Sequence, residues 1–203
     1  MTKGELFMRY RFLVFLVLVG LFVSGCSQKK PYYGKADNTP YEIKECLNEL
    51  NHGEDIKQPR ADKIVVYKSQ KKLYLYKDGK VVGESLISMG KNWDKGTKVK
   101  QGDYRTPEGT YRIVRKKCDP RLYRNLLLSF PNAEDVARAK SLGYSTPGGL
   151  ITIHGQPKWN ADGRGDKYTL AHDWTEGCIA LPNSTMQLLW ESVALGVPIE
   201  IHP

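Results

Sequence analysis

From residue 62 the apolar residues recur with a period of two, and this alternation commits most of the chain to β structure. In "DKIVVYKSQKKLYLYKDGKVVGESLISMG", Leu73, Leu75, Val81 and Ser85 fall on alternate positions, and "KDGK" has the composition of a hairpin turn. Antiparallel strands are expected here. "TPEGTYRIV" places a turn at Pro107 to Gly109 ahead of another strand, and "LLLSFP", "GGLITIHG" and "VPIEIH" supply three more. Helices interrupt the pattern twice. "NAEDVARAKSLG" has Asn132 as cap, Asp135 near the N-terminus and Gly143 as stop, and "PNSTMQLLWESVALG" puts Met186, Leu189, Trp190 and Val193 on one face. The sum is a mainly β domain of sandwich or barrel type over residues 62–203, with a few peripheral α-helices.

The N-terminus follows different rules. Lys3, Arg9 and Arg11 precede an apolar run from Phe12 to Val23, too short for the ~20 residues of a bilayer-spanning helix and typical of a secretory signal. The run ends in "VSGC", which resembles the lipobox of bacterial lipoproteins, in which the cysteine takes a diacylglyceryl group. The expectation is a signal peptide over residues 1–25, lipidation at Cys26 and a polar tether over 26–38. The domain then sits on the periplasmic side of the envelope, lipid-anchored, with Ser27 leaning to the outer membrane. Residues 39–61 read as a helix and linker: Thr39 caps, Pro40 opens the helix, and Ile43, Cys46, Leu47 and Leu50 share a face.

A net charge of +9 favours acidic partners, yet the basic residues are scattered and no nucleic-acid motif stands among them. Nucleic acid is not an expected partner. Lys91, Lys95, Lys98 and Lys100 read as a solvated loop, or as a field that draws in carboxylates. Of the four cysteines, lipidation of Cys26 leaves Cys46, Cys118 and Cys178, an odd number in an oxidising compartment. Cys46 lies on an apolar helix face and reads as buried; whether it bonds Cys118 is a matter of geometry. One thiol stays free to react. A zinc site from His154, His172, Cys118 and Cys178 lacks any spacing that presents two ligands from one element, so no metal and no cofactor is expected.

Cys178 in "WTEGCIALP" follows Gly177, whose small size lets a carbonyl approach the peptide N–H groups of residues 177 and 178, an oxyanion hole. A thiol attacks carbonyls as thiolate and needs a base nearby. His154 ends the apolar strand "LITI" and is followed by Gly155, so its ring emerges where the backbone turns away. Taken together and in order, "QGDYRTPEGTY", "ITIHG" and "TEGCIALP" resemble the L,D-transpeptidase family, also called the YkuD domain, over roughly residues 62–202.

That resemblance implies a YkuD-like β fold and a cysteine acyltransferase acting on peptidoglycan stem peptides. Cys178 is then the nucleophile, His154 the base and Gly177 part of the oxyanion hole, with Thr175, Gly155 and Glu176 against the substrate. Asp103, Thr106 and Gly109 shape a turn beside the site. Two positions depart from the family's "[ST]HGC[IV]R": Glu176 replaces His and Ala180 replaces Arg. Donor recognition is what the missing Arg affects, with Arg105, Arg112 or Lys158 as substitutes. "WTEGCIALPN" looks like a Gram-negative envelope subgroup, some of whose members resemble hydrolases that release murein lipoprotein. An amine acceptor makes the enzyme a transpeptidase, and water makes it an L,D-carboxypeptidase or amidase. A third reading is a non-catalytic peptidoglycan-binding lipoprotein.

Overall fold

The computed structural model describes residues 46–48, 50, 60–157 and 169–203. The expected signal, the lipidated Cys26, the tether, the Thr39 cap and Lys158 lie outside the described residues.

Among the described residues eight strands form one mixed sheet: β1 (Lys63–Tyr67), β2 (Lys72–Lys77), β3 (Lys80–Leu86), β4 (Gly109–Cys118), β5 (Arg124–Leu128), β6 (Thr152–His154), β7 (Ile179–Ala180) and β8 (Pro198–His202). Their spatial order is β3-β2-β1-β8-β4-β5-β6-β7. The first hairpin turns on Asp78 and Gly79, both at positive φ (49° and 74°), as the two-residue "DG" turn requires. Leu73 and Leu75 point into the core. Val81 does not: the register slips between Leu75 and Tyr76, and Val81 and Val82 are exposed at the sheet edge. The sheet is also not purely antiparallel, because β1 pairs β8, and β6 pairs β7, in parallel.

β4 is the bend in this sheet. Its first half, Gly109–Arg112, pairs β8, and its second half pairs β5, with the register shifting between Ile113 and Arg115. Val114 is extruded to solvent there. Ile64, Val66, Tyr111, Ile113, Leu126, Ile153, Ile179 and Ile199 fill the core, and helix α2 (Asn183–Ser192) covers it with the expected Met186, Leu189 and Trp190. Helix α1 (Ala133–Ser141) begins as its sequence predicts: Asn132 accepts from Asp135 N–H while the Asp135 carboxylate accepts from Asn132 N–H. The buried Tyr111 hydroxyl donates to Asp135, tying this helix to β4.

Cys46 is fully buried and disulfide-bonded to Cys118 at the end of β4, 72 residues away in sequence. The geometry thereby decides the pairing left open by the sequence. It also leaves Cys178 as the free thiol among the described residues. A loop of this length constrains the unfolded chain substantially. Cys118→Ser is expected to lower unfolding stability by about 2–5 kcal/mol, read from denaturant titration of the oxidised proteins; a midpoint equal to wild type would show that the crosslink contributes nothing.

Candidate active site

Strands β6 and β7 are short, and their register makes the site. Ile153 pairs with Ile179 and His154 with Ala180, in parallel. Side chains alternate along each strand, so Ile153 and Ile179 go to the core. Thr152 and His154 therefore share the opposite face with Cys178, the residue before Ile179. A one-residue slip would send both to the core side.

His154 is almost fully buried. Its Nδ1–H donates to the Gly155 carbonyl at 2.8 Å, which leaves Nε2 as the nitrogen that can take a proton. The imidazole lowers the Cys178 thiol from nearby, and the Trp174 ring lies against the imidazole at 5.6 Å between centroids. Burial alone would push the Cys178 thiol up. The hydrogen bond and charge of His154, together with the hydroxyl and N–H of Thr152, outweigh that and hold it below its ordinary value. The thiol itself donates to the Leu150 carbonyl at 3.8 Å. Leu150 has φ 57° and a largely exposed side chain, a conformation uncommon for leucine that aims its carbonyl at the sulfur.

The backbone around Cys178 is clamped on both sides. Thr175 N–H donates to Met89 O and Lys91 N–H to Thr175 O, while Ser88 and Ala180 exchange both of their backbone hydrogen bonds. Gly90 N–H donates to the buried Thr106 hydroxyl. Two glycines permit the close approach. A Cβ on Gly90 would lie 2.3 Å from Tyr104 O, and one on Gly177, at φ 132°, would lie 2.6 Å from Arg105 O. The loop opposite is organised by Asp103, whose carboxylate accepts from Lys98 Nζ at 2.6 Å and from the N–H groups of Val99, Lys100 and Arg105. Burial would raise this carboxyl, but Lys98 and those three N–H groups hold it below the ordinary carboxylate range. Asp103 and Thr106 are thus turn-shaping residues, as their motif implied.

A cavity of ≈ 430 Å³ opens beside the thiol, walled by Lys98, Gly148, Gly149, Leu150, Glu176 and Cys178 among others. Of the three residues expected against the substrate, Glu176 faces this space. Thr175 and Gly155 are buried instead. The Thr175 hydroxyl donates to Cys178 O at 2.7 Å and accepts from Gly177 N–H at 3.2 Å, so it shapes the turn rather than the wall. It also occupies the Gly177 N–H that was expected to meet an oxyanion, leaving the Cys178 N–H of that pair. Gly155 orients His154, and a Cβ there would lie 2.5 Å from both Asn183 Oδ1 and Tyr123 Cβ. Ala180 is buried, Arg112 donates to Gly196 O, and Arg105 reaches Thr97 O. The cation in the cavity wall is instead Lys98, which the sequence placed in a solvated loop and which is 4% exposed. Among the described residues no metal-binding cluster of His, Cys, Asp and Glu occurs.

The sequence model of the YkuD family, the L,D-transpeptidase catalytic domain, matches residues 61–201. This chain belongs to that family. YafK of Escherichia coli (strain K12) is 42% identical over 62 residues, 30% of this chain and 23% of YafK. Among solved structures, the helical cell shape determining protein Pgp2 from Campylobacter jejuni is similar with a TM-score of 0.50 and 29% identity, over 79% of this chain and 55% of Pgp2. Bd1075 of Bdellovibrio bacteriovorus follows with a TM-score of 0.47 and 23% identity, over 70% of this chain and 48% of that one. The chain thus spans about half the length of these solved relatives and under a quarter of YafK. The mainly β architecture expected from the alternation is the fold of the family.

Two outcomes test this geometry. Because the thiol is held below its ordinary value, Cys178 should be alkylated by iodoacetamide at pH values where an unperturbed cysteine is still protonated. His154→Gln should move that midpoint upward and slow labelling at neutral pH by roughly tenfold or more. Gly177→Ala should cost about 1–3 kcal/mol of stability from the positive φ alone, measured by chemical denaturation; full stability would mean that the Arg105 carbonyl yields easily.

Proposed function

We propose that this chain is a cysteine acyltransferase that takes the diaminopimelate residue of a peptidoglycan stem peptide as a thioester and passes it to an amine. The observation that carries the reading is the tautomer of His154: with Nδ1–H committed to Gly155, Nε2 is the nitrogen available to the sulfur at the mouth of the cavity. Nε2 removes the thiol proton, and the thiolate attacks the carbonyl at the L-centre of diaminopimelate. The Cys178 N–H receives the oxyanion. The bond to the leaving amine breaks as the imidazolium returns its proton to that nitrogen. An acceptor amine then attacks the thioester carbonyl, gives its surplus proton to Nε2 and releases the thiolate. The same cycle with water in place of the amine shortens the stem peptide instead.

Pgp2 is a cell shape determining protein, and a role in cell shape is part of the proposal. So is attachment to the periplasmic side of the envelope, more readily the outer membrane, through a lipid on Cys26. The supporting feature is the apolar run from Phe12 to Val23 followed by "VSGC". Murein lipoprotein on the peptidoglycan is a candidate partner of the hydrolytic version.

Mass spectrometry of muropeptides from cells with and without the active gene separates these outcomes. Loss of 3→3 cross-links on Cys178→Ala supports transfer to an amine. Accumulated longer stems or lipoprotein-linked peptides assign the acceptor as water. Wild-type turnover by purified Cys178→Ala would overturn the covalent mechanism, since no other residue replaces the thioester.

A further inference from the structure

Thr152 was not singled out by any motif, yet its hydroxyl sits between two acceptors. Oγ1 is 3.2 Å from Asn125 Oδ1 and 3.5 Å from Cys178 Sγ. A hydroxyl carries one hydrogen and can serve one of them fully at a time. Asn125 is 3% exposed and held in place by its own Nδ2–H, which donates to Leu122 O. While the sulfur is a thiol, its hydrogen points to Leu150 O, and the Thr152 hydrogen has its better acceptor in Asn125. Once the sulfur loses its proton the preference reverses, because hydrogen bonds to an ion are roughly twice as strong as neutral ones. The Leu150 carbonyl then faces an anion, which raises the value of a donor on that side.

We infer that Thr152 is a further catalytic residue: its hydroxyl rests on Asn125 in the thiol state and turns its hydrogen onto the Cys178 sulfur whenever that sulfur is anionic, both before attack and as the leaving group of the thioester. Only a torsion moves, so no proton or bond changes hands at Thr152. The inference rests on the reading of Cys178 as a nucleophile. His154, on the same strand, also favours the anion. The other charged groups around the cavity are Glu176 from the turn before Cys178 and Lys98 from the opposite loop, the latter neutralised by Asp103. Substitution at Thr152 alters none of them.

The test is the pH dependence of iodoacetamide labelling on the full chain, followed on the Cys178 peptide by mass spectrometry so that Cys26 does not interfere. Thr152→Val keeps the shape and removes the donor; its labelling midpoint should rise and its rate at neutral pH fall roughly tenfold. Thr152→Ser should restore the wild-type midpoint, a rescue that a purely packing role would not give. Asn125→Ala removes the competing acceptor and should lower the midpoint. Thermal unfolding is recorded for each variant, and Thr152→Ala takes the place of the valine variant should that one not fold. A midpoint unchanged in the valine and alanine variants, with wild type still titrating below an ordinary thiol, overturns the role of Thr152 alone. A wild-type midpoint at the ordinary thiol value overturns the nucleophile assignment as well.

Discussion

The in-register parallel pairing of β6 and β7 governs the whole site. Each strand is very short, and each carries a core isoleucine next to a chemical residue, Ile153 beside His154 and Ile179 beside Cys178. Burial of those two isoleucines fixes which face the neighbours occupy, with roughly 1.5–3 kcal/mol of transfer energy behind each apolar side chain. The placement of His154 and Cys178 on one face is therefore a by-product of core packing. No dedicated interaction between His154 and Cys178 is needed to bring them together.

Such short strands cannot hold a register alone, and the surrounding backbone supplies the constraint. Residues 88–91 hydrogen-bond the Thr175 and Ala180 ends of the turn, and Gly90 and Gly177 allow the segments to interlock at distances that a Cβ would forbid. Asp103 holds the third side by satisfying the N–H groups of Val99, Lys100 and Arg105 and neutralising a buried lysine. A buried carboxylate with four donors is stable, whereas the same group with one donor removed leaves an uncompensated charge.

Period-two alternation made the β architecture legible, cap chemistry made helix α1 legible and an apolar face made α2 legible, because those signals are local. Asn132 and Asp135 form their reciprocal cap from sequence neighbours alone. The His154 and Cys178 pair was legible because the resemblance linked two distant motifs. What stayed hidden depended on register and on long-range approach. Thr175 and Gly155 had the right neighbours for substrate contact, but their hydroxyl and carbonyl are consumed inside the fold. Lys98 read as one of several loop lysines until Asp103 drew it under the surface. Thr152 was within reach of sequence reasoning: in "ITIH" the same alternation that exposes His154 on one face must expose Thr152 beside it. Val81 failed for the opposite reason, since a bulge between Leu75 and Tyr76 broke the period that the alternation assumed.

The two departures from the family pattern acquire a common physical sense in this frame. Ala180 is buried between Ser88 and His154, where an arginine would have to leave the sheet or bury its guanidinium. Lys98 stands on the opposite wall with its charge paired to Asp103, and a carboxylate stands at Glu176 beside Cys178. An anion next to a thiolate works against the thiolate at any separation inside a low-dielectric cleft. The sulfur is nevertheless held below its ordinary value, because His154 and Thr152 together outweigh burial.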